Sequence, residues 1–287
     1  MNIQVHTLHA FTKNGTGGNP AGVVLEADSL KREEMQLVAR KIGFSETAFF
    51  QRSTVADFKL SYFTPNNEVP LCGHATIAAF YLLHAEQKIH PGVYALETKA
   101  GILSVRVNDT QQVFLSQALP AFYEQPNKKE IAESLNLPDT GFDPDLPVEI
   151  VSTGLRDILV PIKNVSVLNH IKPDFSQIRE ISKKYHVVGY HLFTLNESSD
   201  KVASCRNFAP LYDIPEESAT GTSTGALTCY LYKYNKIQGN QQLEFEQGYS
   251  MNCTSSILSK LTIENGAIIR IEVGGTAAQM NEHLISL

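Results

Sequence analysis

Alternating hydrophobic and polar positions predict that the chain opens with two strands and a helix. Ile3 and Val5 alternate with polar neighbours, and a segment rich in Gly and Asn, residues 13–20, separates them from a second apolar run. Ser29 is a candidate N-cap for a helix with apolar positions near helical spacing, and Gly43 is placed to end it. The pattern therefore predicts a strand, a loop, a second strand and an amphipathic helix.

Two further strands and a different kind of helix follow. Apolar side chains predict a strand over 47–51, and alternation of apolar and polar residues predicts another over 58–62. From Ala75 to Glu86 almost every residue is apolar, so little polar surface is left for solvent. This stretch predicts a helix that is buried on all sides.

The second half of the chain repeats the motifs of the first half in the same order. The pattern Gly-x-x-Thr-x-Ala begins at Gly73 and begins again at Gly221, 148 positions later. Upstream of it, the tripeptide that starts at Phe63 is matched by a similar one that starts at Phe208. A period of this length excludes a solenoid and indicates two related domains.

The repeat predicts an α/β protein of two pseudo-symmetric domains. We expect them to cover 1–117 and 118–274, with 275–287 as a candidate to rejoin the first domain. If the domains face each other, the N-termini of their buried helices open onto a cleft, where unpaired N–H groups favour a carboxylate. The alternative is that Gly73 and Gly221 only permit tight turns.

Charge narrows the classes of partner. The 287 residues include 24 Lys and Arg against 30 Asp and Glu, a net charge of −6, without an extended basic cluster. This balance lacks the electrostatic footprint of a protein that binds nucleic acid or an anionic lipid surface. No apolar stretch reaches the length of a membrane span, and no leader pattern opens the chain. We expect a cytoplasmic protein with no nucleic-acid or membrane partner.

The cysteines are widely spaced and form no C-x-x-C pair. They are Cys72, Cys205, Cys229 and Cys253. This spacing disfavours both a disulfide scaffold and a structural zinc site. We therefore predict reduced thiols and no bound metal.

Four short blocks resemble the signature motifs of a known family. They read GNPAGVV over 18–24, FSETAFF over 44–50, CGHAT over 72–76 and ATGT over 219–222. Together they resemble the PhzF family of phenazine biosynthesis-like proteins. The resemblance implies two diaminopimelate epimerase-like domains, each a barrel-like sheet around a central helix. It also implies an active site in the cleft between the domains, no cofactor, and a homodimer.

The resemblance implies an isomerase that moves a proton on a small carboxylated metabolite. Glu46 matches the acidic residue that acts as general acid and base, a role that burial supports by raising the pKa of a carboxyl group. His74 and Glu217 match the residues that assist it. From the residues alone, Glu46 would be a strand-end glutamate that faces water, and His74 a cap or a packed residue.

The resemblance also implies a set of substrate-binding residues. Gly73 and Gly221, with Thr222, match positions whose backbone N–H groups hold the substrate carboxylate. Asn19 is a weaker candidate for a polar contact, and Cys72 lies beside the first glycine.

The chain departs from the family pattern at a few positions. Glu217 stands where an aspartate is usual, Ser218 replaces a proline, and Thr222 replaces a serine. These changes alter reach and rigidity, which leaves the substrate open. His9 also replaces an aspartate, and the sequence offers no physical account of that change.

Two alternative functions stay open. An amino-acid epimerase or racemase needs two thiols, but the repeat aligns Cys72 with Thr220, and an alcohol cannot replace a thiol as an acid or base near neutral pH. The other alternative is a non-catalytic protein that binds a small molecule and has lost turnover.

Overall fold

The computed structural model describes residues 1–196 and 200–287. The described chain divides into two compact units. Unit 1 comprises Met1–Ser116 and Gly274–Leu287, and unit 2 comprises Gln117–Val273. Each boundary lies one residue from the boundary expected from the sequence repeat.

The first part of unit 1 contains eight strands and two helices. In chain order they are β1 (Asn2–Ala10), β2 (Asn19–Val24), α1 (Arg32–Ile42), β3 (Thr47–Gln51), β4 (Phe58–Phe63), β5 (Glu68–Val69), α2 (Gly73–Ala85), β6 (Gly92–Thr98), β7 (Gly101–Val107) and β8 (Val113–Ser116).

Unit 2 follows, and the last strand returns to unit 1. The elements are β9 (Ala121–Phe122), α3 (Lys128–Ser134), β10 (Glu149–Ser152), β11 (Arg156–Pro161), α4 (Val165–His170), α5 (Phe175–Tyr185), β12 (Gly189–Leu195), β13 (Ala203–Ala209), β14 (Ile214–Glu217), α6 (Gly221–Lys233), β15 (Gln242–Gln247), β16 (Ser255–Glu264), β17 (Ala267–Gly275) and β18 (Ala277–Ser286).

In unit 1 the strands follow one another through both antiparallel and parallel pairing. β1 pairs antiparallel with β2 and with β18, where Asn2 lies opposite Ser286. β2 pairs parallel with β3, and α1 makes the connection between them. β3 pairs antiparallel with β4, β4 pairs parallel with β6 across α2, and β7 joins β6 and β8.

Unit 2 repeats this strand plan. β10 and β11 form an antiparallel pair, β11 pairs parallel with β12 across α4 and α5, and β12 pairs antiparallel with β13. A short strand, β14, pairs with β13 before α6, and β13 then pairs parallel with β15. The same order of strand directions around a helix in each unit is the structural form of the sequence repeat.

The central helix of each unit is surrounded by strands. Nearly every residue from His74 to Leu83 is buried, as the apolar composition of this segment predicts. α2 packs against β1, β2 and β3 and also against β7 and β8, so the sheet curves around it. α6 packs against β10, β11 and β16 in unit 2. Each unit is therefore an α/β barrel-like sheet around one helix.

The helices on the outside bury only one face. In α1 the buried residues are Met35, Val38 and Ala39, which pack on the sheet of unit 1. The helix ends at Gly43, which adopts φ +75, as expected. The prediction of Ser29 as N-cap was wrong, because the N-cap is Lys31, whose backbone N–H donates to the Glu34 carboxylate at 2.7 Å. Throughout the described part of the chain, no helix combines the length and hydropathy needed to cross a membrane.

Candidate functional site

A buried cysteine immediately precedes helix α2. Cys72 is the N-cap residue and is only 7% exposed. Thr76 Oγ1 donates to the Cys72 carbonyl at 2.7 Å, so the Tyr62 hydroxyl must act as donor in its 2.6 Å contact with Thr76. Burial raises the pKa of Tyr62 well above its usual range, which keeps this hydroxyl protonated. These contacts fix the first turn of the helix.

Glu46 lies just before β3 and is turned into unit 1. Its carbonyl accepts the Gly22 N–H at 3.1 Å, which anchors its backbone to β2. Its side chain is only 17% exposed, so the alternative of a glutamate that faces water is wrong. Oε2 lies 3.3 Å from His74 Nε2, and within residues 1–196 and 200–287 it makes no hydrogen bond of ordinary geometry. A buried carboxylate oxygen therefore faces an imidazole nitrogen.

The ring of His74 is contacted on both nitrogens. Asn19 Nδ2 lies 3.4 Å from Nδ1, and Ser45 Oγ lies 3.5 Å from Nε2. Cys72 Sγ lies 3.5 Å from Nδ1 and 3.8 Å from Nε2. With the Asn19 amide as donor to Nδ1, the neutral ring carries its proton on Nε2, on the side of Glu46.

Neither the backbone conformation nor the packing at the start of α2 requires a glycine. Gly73 is not among the described glycines with positive φ, and no described heavy atom lies within 4 Å of a Cβ built there. By contrast, Gly18 adopts φ +85, and a Cβ on Gly22 would lie 2.7 Å from Thr47 Oγ1. Open space beside Gly73 suits the close approach of a ligand to the backbone.

In unit 2 a side-chain network holds the turn before α6. Glu217 ends β14, and its Oε2 accepts the Thr220 hydroxyl at 2.5 Å. Gln247 Nε2 donates to Thr220 Oγ1 at 3.0 Å and to the Glu217 carbonyl at 2.8 Å. Gln247 Oε1 accepts the Thr220 N–H at 3.2 Å. Gln247 was not predicted from the sequence, because nothing in local periodicity connects it to a turn that lies 27 positions away.

A buried aspartate beside this turn was also missed. Asp157 accepts the Ser223 hydroxyl at 2.6 Å. Burial raises the pKa of Asp157 to about 7, the Ser223 hydrogen bond opposes the rise, and the nearby Glu217 charge adds to it. An acidic residue inside the apolar strand 156–161 was the signal that could have found it.

The first residues of α6 lie beside that network. Thr220 is the N-cap and, among the described residues, makes no side-chain capping hydrogen bond to the helix. The Thr222 carbonyl accepts the Thr153 hydroxyl at 3.1 Å. Gly221, like its counterpart in α2, is absent from the described glycines with positive φ. The interpretation of either glycine as a tight-turn residue thus has no support in its backbone conformation.

The structure places the sequence-predicted residues in two local groups. The group in unit 1 consists of Asn19, Glu46, Cys72, Gly73 and His74, and the group in unit 2 consists of Glu217, Gly221 and Thr222. His9, which stands where the family pattern has an aspartate, also has a hydrogen-bond partner. Its Nδ1 lies 3.1 Å from the Gly17 carbonyl oxygen.

The group in unit 1 has the composition of a proton-transfer site. A carboxylate, an imidazole and a thiol lie together at a helix N-terminus, and their potential ligand atoms fall within 4.8 Å of one another. A carboxylate close to a neutral imidazole can accept and return a proton. The same three groups are also able to ligate a metal ion.

The chain is similar to known isomerases over its full length. The sequence model of the family described as phenazine biosynthesis-like protein, PhzC-PhzF, matches residues 8–283. An uncharacterized isomerase, YfhB of Bacillus subtilis, is 32% identical, with 99% of each chain covered. The trans-2,3-dihydro-3-hydroxyanthranilate isomerase of Pseudomonas chlororaphis is 26% identical, with 98% of each chain covered.

Solved structures show the same relationship. A phenazine biosynthesis protein of the PhzF family from Bacillus anthracis matches with a TM-score of 0.91 and 32% identity over 100% of both chains. A probable proline racemase from Agrobacterium radiobacter K84 matches with a TM-score of 0.66 and 13% identity over 99% of this chain and 93% of that one, which shows a shared fold alone. Relatives over the full length of the chain are isomerases, and this chain is an isomerase as well. The chain belongs to the PhzF family of phenazine biosynthesis-like proteins.

Proposed function

We propose that the chain is a cofactor-independent isomerase that moves a double bond in a small carboxylated metabolite by proton transfer, with Glu46 as the proton carrier. The observation that carries this proposal is the placement of the buried Glu46 Oε2 at 3.3 Å from His74 Nε2. A base held against an imidazole is positioned to remove a proton from one atom of the substrate and to return a proton to another.

The reaction conserves protons and electrons. The Glu46 carboxylate removes a proton from a carbon next to an unsaturated system, and the electron pair of the broken C–H bond shifts the double bond. Protonated Glu46, whose side chain is partly exposed, exchanges this proton with water and then delivers a proton to another carbon of the substrate. His74, whose Nε2 lies 3.3 Å from Glu46 Oε2, stabilises the carboxylate before the first step and after the second.

We propose that backbone N–H groups hold the carboxylate of the substrate. In unit 1 these belong to the first turn of α2 at Gly73, beside Asn19 and Cys72. The N-terminus of a helix favours an anion through its unpaired N–H groups and the helix dipole. In unit 2, Gly221 and Thr222 offer the corresponding groups of α6.

Glu217 is the proposed assisting acid of unit 2. Its Oε2 accepts the short hydrogen bond from Thr220, and its charge adds to the rise in the pKa of Asp157. The two carboxyl groups interact through their charges, because ionisation of Glu217 disfavours ionisation of Asp157.

The two alternatives have less support. A paired-thiol epimerase needs a second thiol, but the counterpart of Cys72 is Thr220, whose hydroxyl already donates to Glu217. A binding protein without turnover would retain the glycines and lose the need for Glu46. Deuterium exchange separates this possibility from catalysis.

Deuterium exchange tests the proposal. The first probe is trans-2,3-dihydro-3-hydroxyanthranilate, on which the Pseudomonas chlororaphis relative acts by name, followed by a panel of small unsaturated carboxylic acids. In D₂O, NMR should show enzyme-dependent incorporation of deuterium into the isomerised product. Glu46→Gln should lower the rate by at least about 100-fold, the usual contribution of a general base.

The matched control is Glu26→Gln, which changes an exposed carboxylate in the same unit and should exchange at the wild-type rate. Equal rates in wild type and Glu46→Gln would contradict the role of Glu46. Saturable binding of a probe without exchange would instead favour the non-catalytic alternative.

We also propose that the protein is a cytoplasmic homodimer. The four cysteines form no disulfides with one another, which fits a reducing compartment. Light scattering of the purified chain tests the dimer, and a mass equal to one chain at micromolar concentration would contradict it.

A further inference from the structure

We propose that Glu46, Cys72 and His74 form a binding site for a soft divalent cation, with Zn²⁺ as the type ligand, and that the bound cation inhibits the enzyme. The binding part stands on the geometry of the three side chains. The inhibition rests on the proposed function, because the cation would occupy the same carboxylate and imidazole that carry the proton.

Two of the three distances between the ligand atoms are close to those of tetrahedral zinc coordination, and all three ligand atoms lie within 4.8 Å of one another. Ideal Zn²⁺ ligand bonds place a thiolate sulfur about 3.5 Å from an imidazole nitrogen, and that nitrogen about 3.3 Å from a carboxylate oxygen. In the structure Cys72 Sγ lies 3.8 Å from His74 Nε2, and Nε2 lies 3.3 Å from Glu46 Oε2. Small side-chain shifts would bring all three atoms onto one cation.

The surroundings favour occupation of this site. Glu46 Oε2 is buried and makes no hydrogen bond of ordinary geometry with any described residue, so a cation would satisfy it. The Thr76 hydroxyl fixes the Cys72 carbonyl, which limits the motion of the sulfur. A partly exposed Glu46 side chain leaves a way in from solvent, and the fourth position remains for water.

His74 also has an outer partner of the kind that supports metal ligation. When Nε2 binds the cation, the ring proton moves to Nδ1, next to the side-chain amide of Asn19. Rotation of that amide presents Oδ1 as the acceptor, a typical support for a histidine ligand. Cys72 must bind as the thiolate, so its proton is released to the buffer on binding.

Cobalt spectroscopy gives a readout of binding that is independent of activity. The full chain is treated with a chelator, dialysed and titrated with Co²⁺. We expect a thiolate-to-cobalt charge-transfer band in the near ultraviolet that saturates at one cation per chain. Cys72→Ser should lose the band, whereas Cys253→Ser, the matched control at a partly exposed thiol outside the site, should keep it.

Calorimetry with Zn²⁺ measures the contribution of each ligand. Glu46→Gln and Cys72→Ser should each weaken Zn²⁺ binding by at least about 100-fold. Loss of a residue that only supports a metal ligand costs up to about 100-fold in affinity, and loss of the ligand itself should cost no less. Titrations in two buffers of different ionisation enthalpy should reveal the released thiol proton in the wild type. Circular dichroism confirms that each variant is folded.

The outcomes separate this proposal from the proposed function. Absence of the cobalt band in the wild type, or a band that survives Cys72→Ser, would overturn the cation site whatever the exchange assay shows. A band together with exchange that Zn²⁺ does not inhibit would overturn the inhibition. A cation site in a chain whose exchange is indifferent to Glu46→Gln would leave binding established and the proposed catalytic role rejected.

Discussion

The side chain of Gln247 bonds Thr220 twice, through Oε1 to the backbone N–H at 3.2 Å and through Nε2 to the hydroxyl at 3.0 Å. The hydroxyl in turn donates to Glu217. One amide at the end of β15 thereby sets the conformation of the turn that starts α6. The proposed acid of unit 2 is positioned by a residue that does not itself react.

Replacing Gln247 with Ala should destabilise the fold. The change removes three hydrogen bonds and leaves the Thr220 N–H without its buried acceptor, so the free energy of unfolding should fall by about 2–4 kcal/mol. Urea denaturation measures the loss. The control is Gln241→Ala at an exposed position, and an equal effect in both variants would contradict the assignment.

The buried carboxyl of Asp157 should make stability depend on pH. Its pKa rises from 3.8 to about 7 in the folded state because of burial, so the folded chain holds a proton that the unfolded chain loses. The stabilising contribution is complete below about pH 4 and is lost as pH rises through about 7. Its total size is about 4 kcal/mol.

Asp157→Asn isolates this contribution. The difference in unfolding free energy between variant and wild type should move in favour of Asn by about 4 kcal/mol from pH 4 to pH 8, since the amide does not ionise. Asp109→Asn changes an exposed carboxyl and should show no such trend. A pH-independent difference for Asp157→Asn would show that its carboxyl is ionised in the fold.

Two glycine substitutions should affect different properties, ligand binding in one case and stability in the other. Gly73→Ala places a methyl group in open space at a helix start, so we expect unchanged thermal stability but weaker binding of carboxylate ligands. Gly22→Ala drives a methyl group against Thr47 and should cost about 1–3 kcal/mol of stability. Thermal melting and calorimetric titration with a small carboxylate measure both effects, and unweakened binding by Gly73→Ala would remove that backbone from the site.

Asn19 should control the tautomer of His74. Because the amide donates to Nδ1, the wild-type ring should carry its proton on Nε2, which long-range ¹H–¹⁵N NMR detects directly. Asn19→Leu removes the donor at similar volume, so the fraction of the Nδ1–H tautomer should increase and the pH profile of exchange should shift. An unaltered tautomer ratio would show that the other contacts of the ring, with Ser45, Glu46 and Cys72, determine it.

Much of the fold could be predicted from the sequence. The strand at 47–51 was predicted at its observed bounds, because a short apolar run is a local signal. Uniform apolar composition correctly marked α2 as buried on all sides. The start of α1 was mispredicted, because Ser29 is a good capping residue by type, but the carboxylate of Glu34 bonds the backbone N–H of Lys31 instead.

The sequence by itself determined the two-part plan, the order of elements and the family, because periodicity, the internal repeat and the GNPAGVV and CGHAT blocks are carried by neighbouring residues. Only the tertiary structure decided which distant polar groups meet. Asp157 and Ser223 are 66 positions apart, and no local pattern joins them. The tertiary structure also buries Asp157, which raises its pKa, because the loss of water around a charge depends on the whole surrounding fold. It likewise places the Glu46 carboxylate against His74 rather than in solvent.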